Sequence, residues 1–197
     1  MRTLGDAAHE ANPAAVRTVR VVDDNVALRH AIVAAIVGAI ERLTETPNEW
    51  NPRVPAYKYI WDLTTDPAVR SGDIAVCDLY PSGYWHDVPD DPPPGPIFPQ
   101  TPIDIDEGQN VVKASFDIAE RFLFPLQARG VHVIVFTYVP RFLRTRDNTV
   151  AHAWADSVEQ QLGSRLELVH KEDPSSDARI VDRIVGRVAE LLTEGAS

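Results

Sequence analysis

Residues 16–43 read VRTVRVVDDNVALRHAIVAAIVGAIERL, and this stretch decides the fold. Its first seven residues, 16–22, are rich in β-branched side chains and predict a strand. Residues 26–43 predict a helix whose middle, AIVAAIVGAI, is apolar on nearly every side. The same alternation recurs downstream. Residues 73–79 (DIAVCDL), 131–137 (VHVIVFT) and 166–170 (LELVH) predict further strands, and residues 57–63 (YKYIWDL) one more. Residues 108–128 have helical composition, with Phe116, Ala119, Phe122 and Leu123 on one side and Pro125 expected to kink or end the helix. In residues 149–162, Val150, Trp154, Val158 and Leu162 recur at helical spacing, and Gly163 is the candidate C-cap. Residues 179–192 carry Ile180, Ile184, Val188 and Leu191 on one stripe, with Ser175 and Ser176 as candidate caps.

Strands alternating with helices imply an α/β domain with a parallel five-stranded sheet and helices on both faces. The domain covers residues 16–197, after an N-terminal extension at 1–15. Two stretches break the alternation, residues 44–56, with Pro47, Pro52 and Pro55, and residues 81–107. Eight of the 16 prolines lie between Pro81 and Pro102, followed or accompanied by Asp87, Asp90, Asp91, Asp104, Asp106 and Glu107 with no Lys or Arg. This reads as a long inserted loop, extended or polyproline-like around PDDPPPGP. His86 among these carboxylates belongs to an acidic loop more simply than to a metal site. PPPGPIFP reads as a structural wrap before a ligand for a Pro-recognising domain.

With 197 residues, 44% hydrophobic and 24% charged, the chain can build a packed core. Nineteen Lys and Arg against 29 Asp and Glu give a net charge of −10, which disfavours nucleic acid or an anionic membrane as partner. The single cysteine, Cys77, excludes an internal disulfide and a Cys-based zinc site, and a reducing cytoplasm is the simplest location. Inside a strand, that thiol reads as buried and inert. The longest uncharged apolar run, residues 31–40, is well short of the roughly 20 residues that span a bilayer. The N-terminal MRTLGDAAHEANPAA has no signal-peptide pattern. The four Trp read as core or interface residues, and Arg141, Arg144 and Arg146 as a solvated loop. Ile32, Val33, Ile36, Val37 and Ile40 cover more than one face of their helix, so a second subunit, a partner or the chain itself should cover it.

Open parallel sheets bind ligands at the carboxyl ends of their strands. There the first strand ends in Asp23 and Asp24, the third in Asp78, the fourth in Thr137 and the fifth in Lys171. Three carboxylates converging on one point repel one another unless a hard cation sits among them, and Mg2+ suits such a set. A carboxylate can attack phosphorus and form an acyl phosphate, while a cation, an ammonium and a hydroxyl neutralise the phosphoryl oxygens. The set is chemically complete for phosphoryl transfer to an aspartate.

VVDDN, VCDLYPSG, VIVFT and LVHK, in that order and each closing a predicted strand, resemble the signature of the response-regulator receiver domains of two-component signalling. The resemblance covers roughly residues 16 to 193. It implies a flavodoxin-like (βα)5 three-layer sandwich with strand order 2-1-3-4-5. Asp78 would be the phosphoacceptor, served by a histidine kinase or phosphotransfer protein. Mg2+ would be held by Asp23, Asp24, Asp78 and the main-chain carbonyl of Tyr80, with Thr137 and Lys171 on the phosphoryl oxygens. Such a protein is no enzyme beyond its own phosphorylation and dephosphorylation, and it signals through contacts with a downstream protein or a second copy of itself.

The chain departs from that pattern at several positions. Asp78 and Thr137 are 59 residues apart, about twice the family's spacing, and the Pro-rich acidic stretch begins three residues after Asp78. Tyr138 stands where the family has a small residue, Glu172 where it usually has Pro, and Leu168 where an aromatic switch residue is usual. The reading is therefore of an atypical receiver. One alternative is a pseudo-receiver, a binding module regulated by protein contact without phosphorylation. A Mg2+-dependent phosphohydrolase is more distant: haloacid-dehalogenase-like enzymes place their nucleophilic Asp first, and no second Asp follows two residues after Asp78.

Overall fold

The computed structural model describes residues 16–42, 50–79, 112, 115–145, 149–172 and 178–194. The elements are β1 (Val19–Val22), α1 (Val26–Arg42), β2 (Ala56–Tyr57), α2 (Ile60–Thr65) and β3 (Ile74–Asp78), then a π-helical stretch (Ala119–Leu123) running into α3 (Phe124–Ala128). β4 (His132–Thr137), α4 (Val139–Arg144), α5 (Thr149–Gly163), β5 (Glu167–His170) and α6 (Ala178–Glu194) complete it. All five strands are parallel and lie in the order β2-β1-β3-β4-β5. The expected α/β class, strand count and order are therefore present. Among the described residues no helix is long and apolar enough to cross a membrane.

Alternating side chains put a separate core on each face of the sheet. Val19, Val21, Ile74, Val76, Ile134 and Phe136 meet α1 and α6 on one face. Val22, Ala75, Cys77, Val133 and Val135 meet α2, the π-helical stretch, α3, α4 and α5 on the other. Near-continuous apolar strands are what two-sided burial requires, and Cys77 is fully buried, its thiol pushed up by desolvation.

The apolar α1 is covered within the chain. Leu28, Ile32, Ile36 and Ala39 are buried, and Val33, Val37 and Ile40 are half-buried against the same cluster, which includes α6 and Trp50. Trp50 also donates its indole N–H to the Leu192 carbonyl at 3.3 Å. Residues 50–55, the latter part of the expected insertion at 44–56, run beside β1: Trp50 bridges Arg17, and the Pro55 carbonyl accepts the Val21 N–H at 3.0 Å. The Pro-rich stretch at 81–107, the extension at 1–15, Trp85, His86, Arg146, Ser175 and Ser176 lie outside the described residues.

Four expectations are corrected. The strand at 57–63 is two residues of β2 followed by α2, because Ile60, Trp61 and Leu63 fall on one buried helical side after the pairing with β1 ends at Tyr57. Pro125 does not end its helix, which continues to Ala128. It follows directly on a π-helical turn, where the wider backbone spacing removes the i−4 bond and clash that make proline a breaker. Arg141 and Arg144 lie in α4, not in a solvated loop, and Arg144 ion-pairs with Asp156 and Glu159 of α5 at 2.7 Å each. Gly163 ends α5 without the left-handed conformation, which among the described residues occurs only at Gly72 and Gly130.

Candidate functional site

In the sheet Val22 stands beside Cys77, Cys77 beside Val135 and Val135 beside Leu168. The residues that close these strands are thus brought level at one edge. Asp23 and Asp24 follow β1, Asp78 ends β3, Thr137 ends β4 and Lys171 follows β5. One carboxylate oxygen from each of Asp23, Asp24 and Asp78 lies within 4.8 Å of the others. Lys171 completes the group, its Nζ donating to Asp78 Oδ2 at 2.6 Å. Thr137 is joined to it through the backbone, its carbonyl accepting the Lys171 N–H at 2.8 Å. The fourth expected cation ligand, the Tyr80 carbonyl, lies outside the described residues.

Asp23 is held from three sides. Its N–H donates to the Tyr57 carbonyl at 3.2 Å, its carbonyl accepts from the Arg29 guanidinium, and its Oδ1 accepts the Asn25 N–H at 2.8 Å. Its Oδ2 is buried and has no hydrogen-bond partner. Native proteins rarely leave a buried acceptor unsatisfied, and an ion is one of the reasons they do. Burial pushes the Asp23 carboxyl up to about 7, with the Asp78 and Asp24 charges acting the same way and Lys171 and the Asn25 N–H opposing them. Three hard oxygen donors, one of them orphaned, fit a divalent cation with oxygen ligands.

Phe136 and Thr137 close β4, and Tyr138 follows them in the chain. Thr137 is fully buried, and its Oγ1 accepts the Val139 N–H at 3.1 Å. Tyr138 is half-buried at the start of α4, its ring 6.2 Å from that of Phe142. Lys171 lies over the Phe136 ring, its Nζ 4.8 Å from the centroid. That distance is within cation–π range, so the ammonium is bounded by Asp78 on one side and an aromatic face on another.

The structure thus brings together Asp23, Asp24, Asp78 and Lys171, and joins Thr137 to them through the backbone. It adds Asn25, Arg29 and Phe136. Asn25 was legible as a helix cap, an Asn directly before the apolar-periodic run. Its Oδ1 accepts the Ala27 and Leu28 N–H groups at 3.1 Å. Arg29 and Phe136 carry no such signal, since their roles depend on where a side chain folds back and on which neighbour lies beside it.

No family model, curated protein or solved structure matches the chain.

Proposed function

We propose that the protein is an atypical response-regulator receiver with a flavodoxin-like fold. Asp78 accepts a phosphoryl group, with Mg2+ as cofactor, and the signal passes on through protein contacts. The observation that carries this reading is the orphaned, buried Asp23 Oδ2 beside Asp24 and Asp78, next to a lysine that already touches the acceptor. Asp23, Asp24 and Asp78 would hold the cation. When bound, it would supply positive charge against the phosphoryl oxygens and bring the acceptor carboxylate and an anionic donor together.

In the transfer, an Asp78 carboxylate oxygen bonds to phosphorus as the P–N bond of a phosphohistidine on a kinase or phosphotransfer protein breaks. The leaving imidazole takes up a proton, and Asp78 becomes an acyl phosphate. Lys171 would move its ammonium from the free carboxylate to a phosphoryl oxygen. The Thr137 hydroxyl has its acceptor side occupied by the Val139 N–H, and its proton would be donated to another oxygen. These partners belong to a reducing cytoplasm, the location the single buried thiol fits.

The test is incubation with Mg2+ and acetyl phosphate or beryllofluoride, read by intact mass and thermal melting. Wild type should gain one phosphoryl group, or melt higher with beryllofluoride, and Asp78→Asn should do neither. A wild type that behaves like Asp78→Asn overturns the proposal. A second reading, the unphosphorylated pseudo-receiver, is favoured by one observation: the Asp78 side chain is only 5% exposed. Cation binding without acyl phosphate formation from any small donor would select it.

A further inference from the structure

We propose that Arg29 is a positioning residue for the cation site, and that it acts by fixing the Asp23–Asp24 peptide. The inference rests on the reading of Asp23, Asp24 and Asp78 as cation ligands. Arg29 lies in the first turns of α1, where the helix macrodipole disfavours a cation and no acidic residue is present in the first turn. Its guanidinium turns back to donate to the main-chain carbonyl of Asp23. That carbonyl belongs to the peptide linking Asp23 to Asp24, so holding it fixes the plane of the link between two of the three carboxylates.

The other polar atoms of Asp23 show what Arg29 completes. Tyr57 takes the N–H and Asn25 supplies a donor to Oδ1, which leaves the carbonyl and Oδ2. With the carbonyl held by Arg29, Oδ2 is the one polar atom of Asp23 left without a partner, and so the one open to a cation. Without that hold the plane of the Asp23–Asp24 peptide loses one of its restraints, and the spacing that keeps three oxygens within 4.8 Å is less firmly imposed.

Charge and position predict opposite signs. A guanidinium beside a cation site weakens cation binding by repulsion, so removing it would tighten binding if charge were its only effect. If Arg29 positions the ligands, removing it weakens binding, and groups that orient metal ligands are typically worth about 10- to 100-fold in affinity.

The experiment is titration of the full chain with Mn2+ alone, read by the electron paramagnetic resonance of the free ion, with Mg2+ as competitor. Wild type should bind one ion, and Arg29→Gln should bind it at least about tenfold more weakly, with the same stoichiometry and a similar metal-free melting temperature. Arg29→Lys, which keeps a charge and one donor, should fall between them, and it carries the test if Arg29→Gln does not fold. Arg29→Gln affinity equal to or tighter than wild type, or Arg29→Lys affinity equal to wild type where only that variant folds, overturns the role of Arg29 alone. Failure of wild type itself to bind overturns the reading of the site on which it rests.

Discussion

Lys171 Nζ lies 2.6 Å from Asp78 Oδ2, and the two residues, 93 positions apart in the chain, are both buried. The pair is unequal, because Asp78 also faces the carboxylates of Asp23 and Asp24 while Lys171 is the ammonium paired with it. Lys171→Met leaves three acidic groups without that ammonium and should cost about 3–5 kcal/mol in metal-free buffer. Asp78→Asn removes one of the three and leaves Lys171 near the other two, so it should cost much less. Urea denaturation with and without Mg2+ checks this, and Mg2+ should recover part of the Lys171→Met loss. Equal losses for the two variants would contradict the shared-site electrostatics.

The Asp23 carboxyl gives a pH dependence. Its folded value of about 7 lies above the ordinary carboxylate value of 3.8, chiefly through burial. Between those values the folded protein holds a proton that the unfolded chain has released, so raising the pH through this window favours unfolding. Each pH unit there should cost up to about 1.4 kcal/mol, and the loss should level off above pH 7. A divalent cation favours the ionised form and should flatten the profile. Chemical denaturation from pH 4 to 8, with EDTA or with Mg2+, reads both effects. A metal-free profile that is the same for wild type and Asp23→Asn would contradict the raised Asp23 value.

Much of this was legible before folding. The residues that end the strands gave the site because a parallel sheet carries each strand's last residue to one edge, a matter of topology more than of side-chain detail. The ten-residue apolar middle of α1 announced a helix needing cover, but not that Trp50 and α6 supply it, since such contacts cross more than a hundred residues. Tyr57 to Leu63 misled because alternation over so short a run fits a strand and a helix equally well. α4 was missed because Pro140 and three arginines look like a loop, whereas Pro is tolerated in a first turn and Arg144 finds its carboxylates only on α5.

Arg20 is a charge inside β1, a strand of a parallel sheet with helices on both faces. It is buried, with Nε donating to Asp73 Oδ2 at 3.1 Å and the rest of the guanidinium to Tyr57, Asp66 and the Ala68 carbonyl. Asp73 also accepts the Thr18 and Arg70 N–H groups, so the cluster ties β1 to the start of β3. Arg20→Leu strands the buried Asp73 and should cost about 3–5 kcal/mol. Adding Asp73→Asn should cost less than the sum of the single changes by roughly 1 kcal/mol or more. A double-mutant cycle by urea denaturation measures the coupling, and strict additivity would contradict the contact.

Two glycines should respond to alanine with opposite signs. Gly186 lies in α6, and a Cβ there meets nothing within 4 Å. Gly186→Ala removes backbone freedom from the unfolded chain and should stabilise by about 0.5–1 kcal/mol. Gly130 joins α3 to β4 with φ +80°, and a Cβ there would collide with the Ser71 side chain. Its carbonyl accepts the Gly72 N–H at 2.9 Å, so the turn cannot shift without loosening a second glycine turn that leads into β3. Gly130→Ala should destabilise by at least about 1 kcal/mol. Both turns feed the starts of β3 and β4, the opposite end of those strands from Asp78 and Thr137. Mn2+ affinity should therefore be the same in both variants as in wild type, and a loss of affinity in Gly130→Ala would mean that the cation site depends on strand register along the whole length of the sheet.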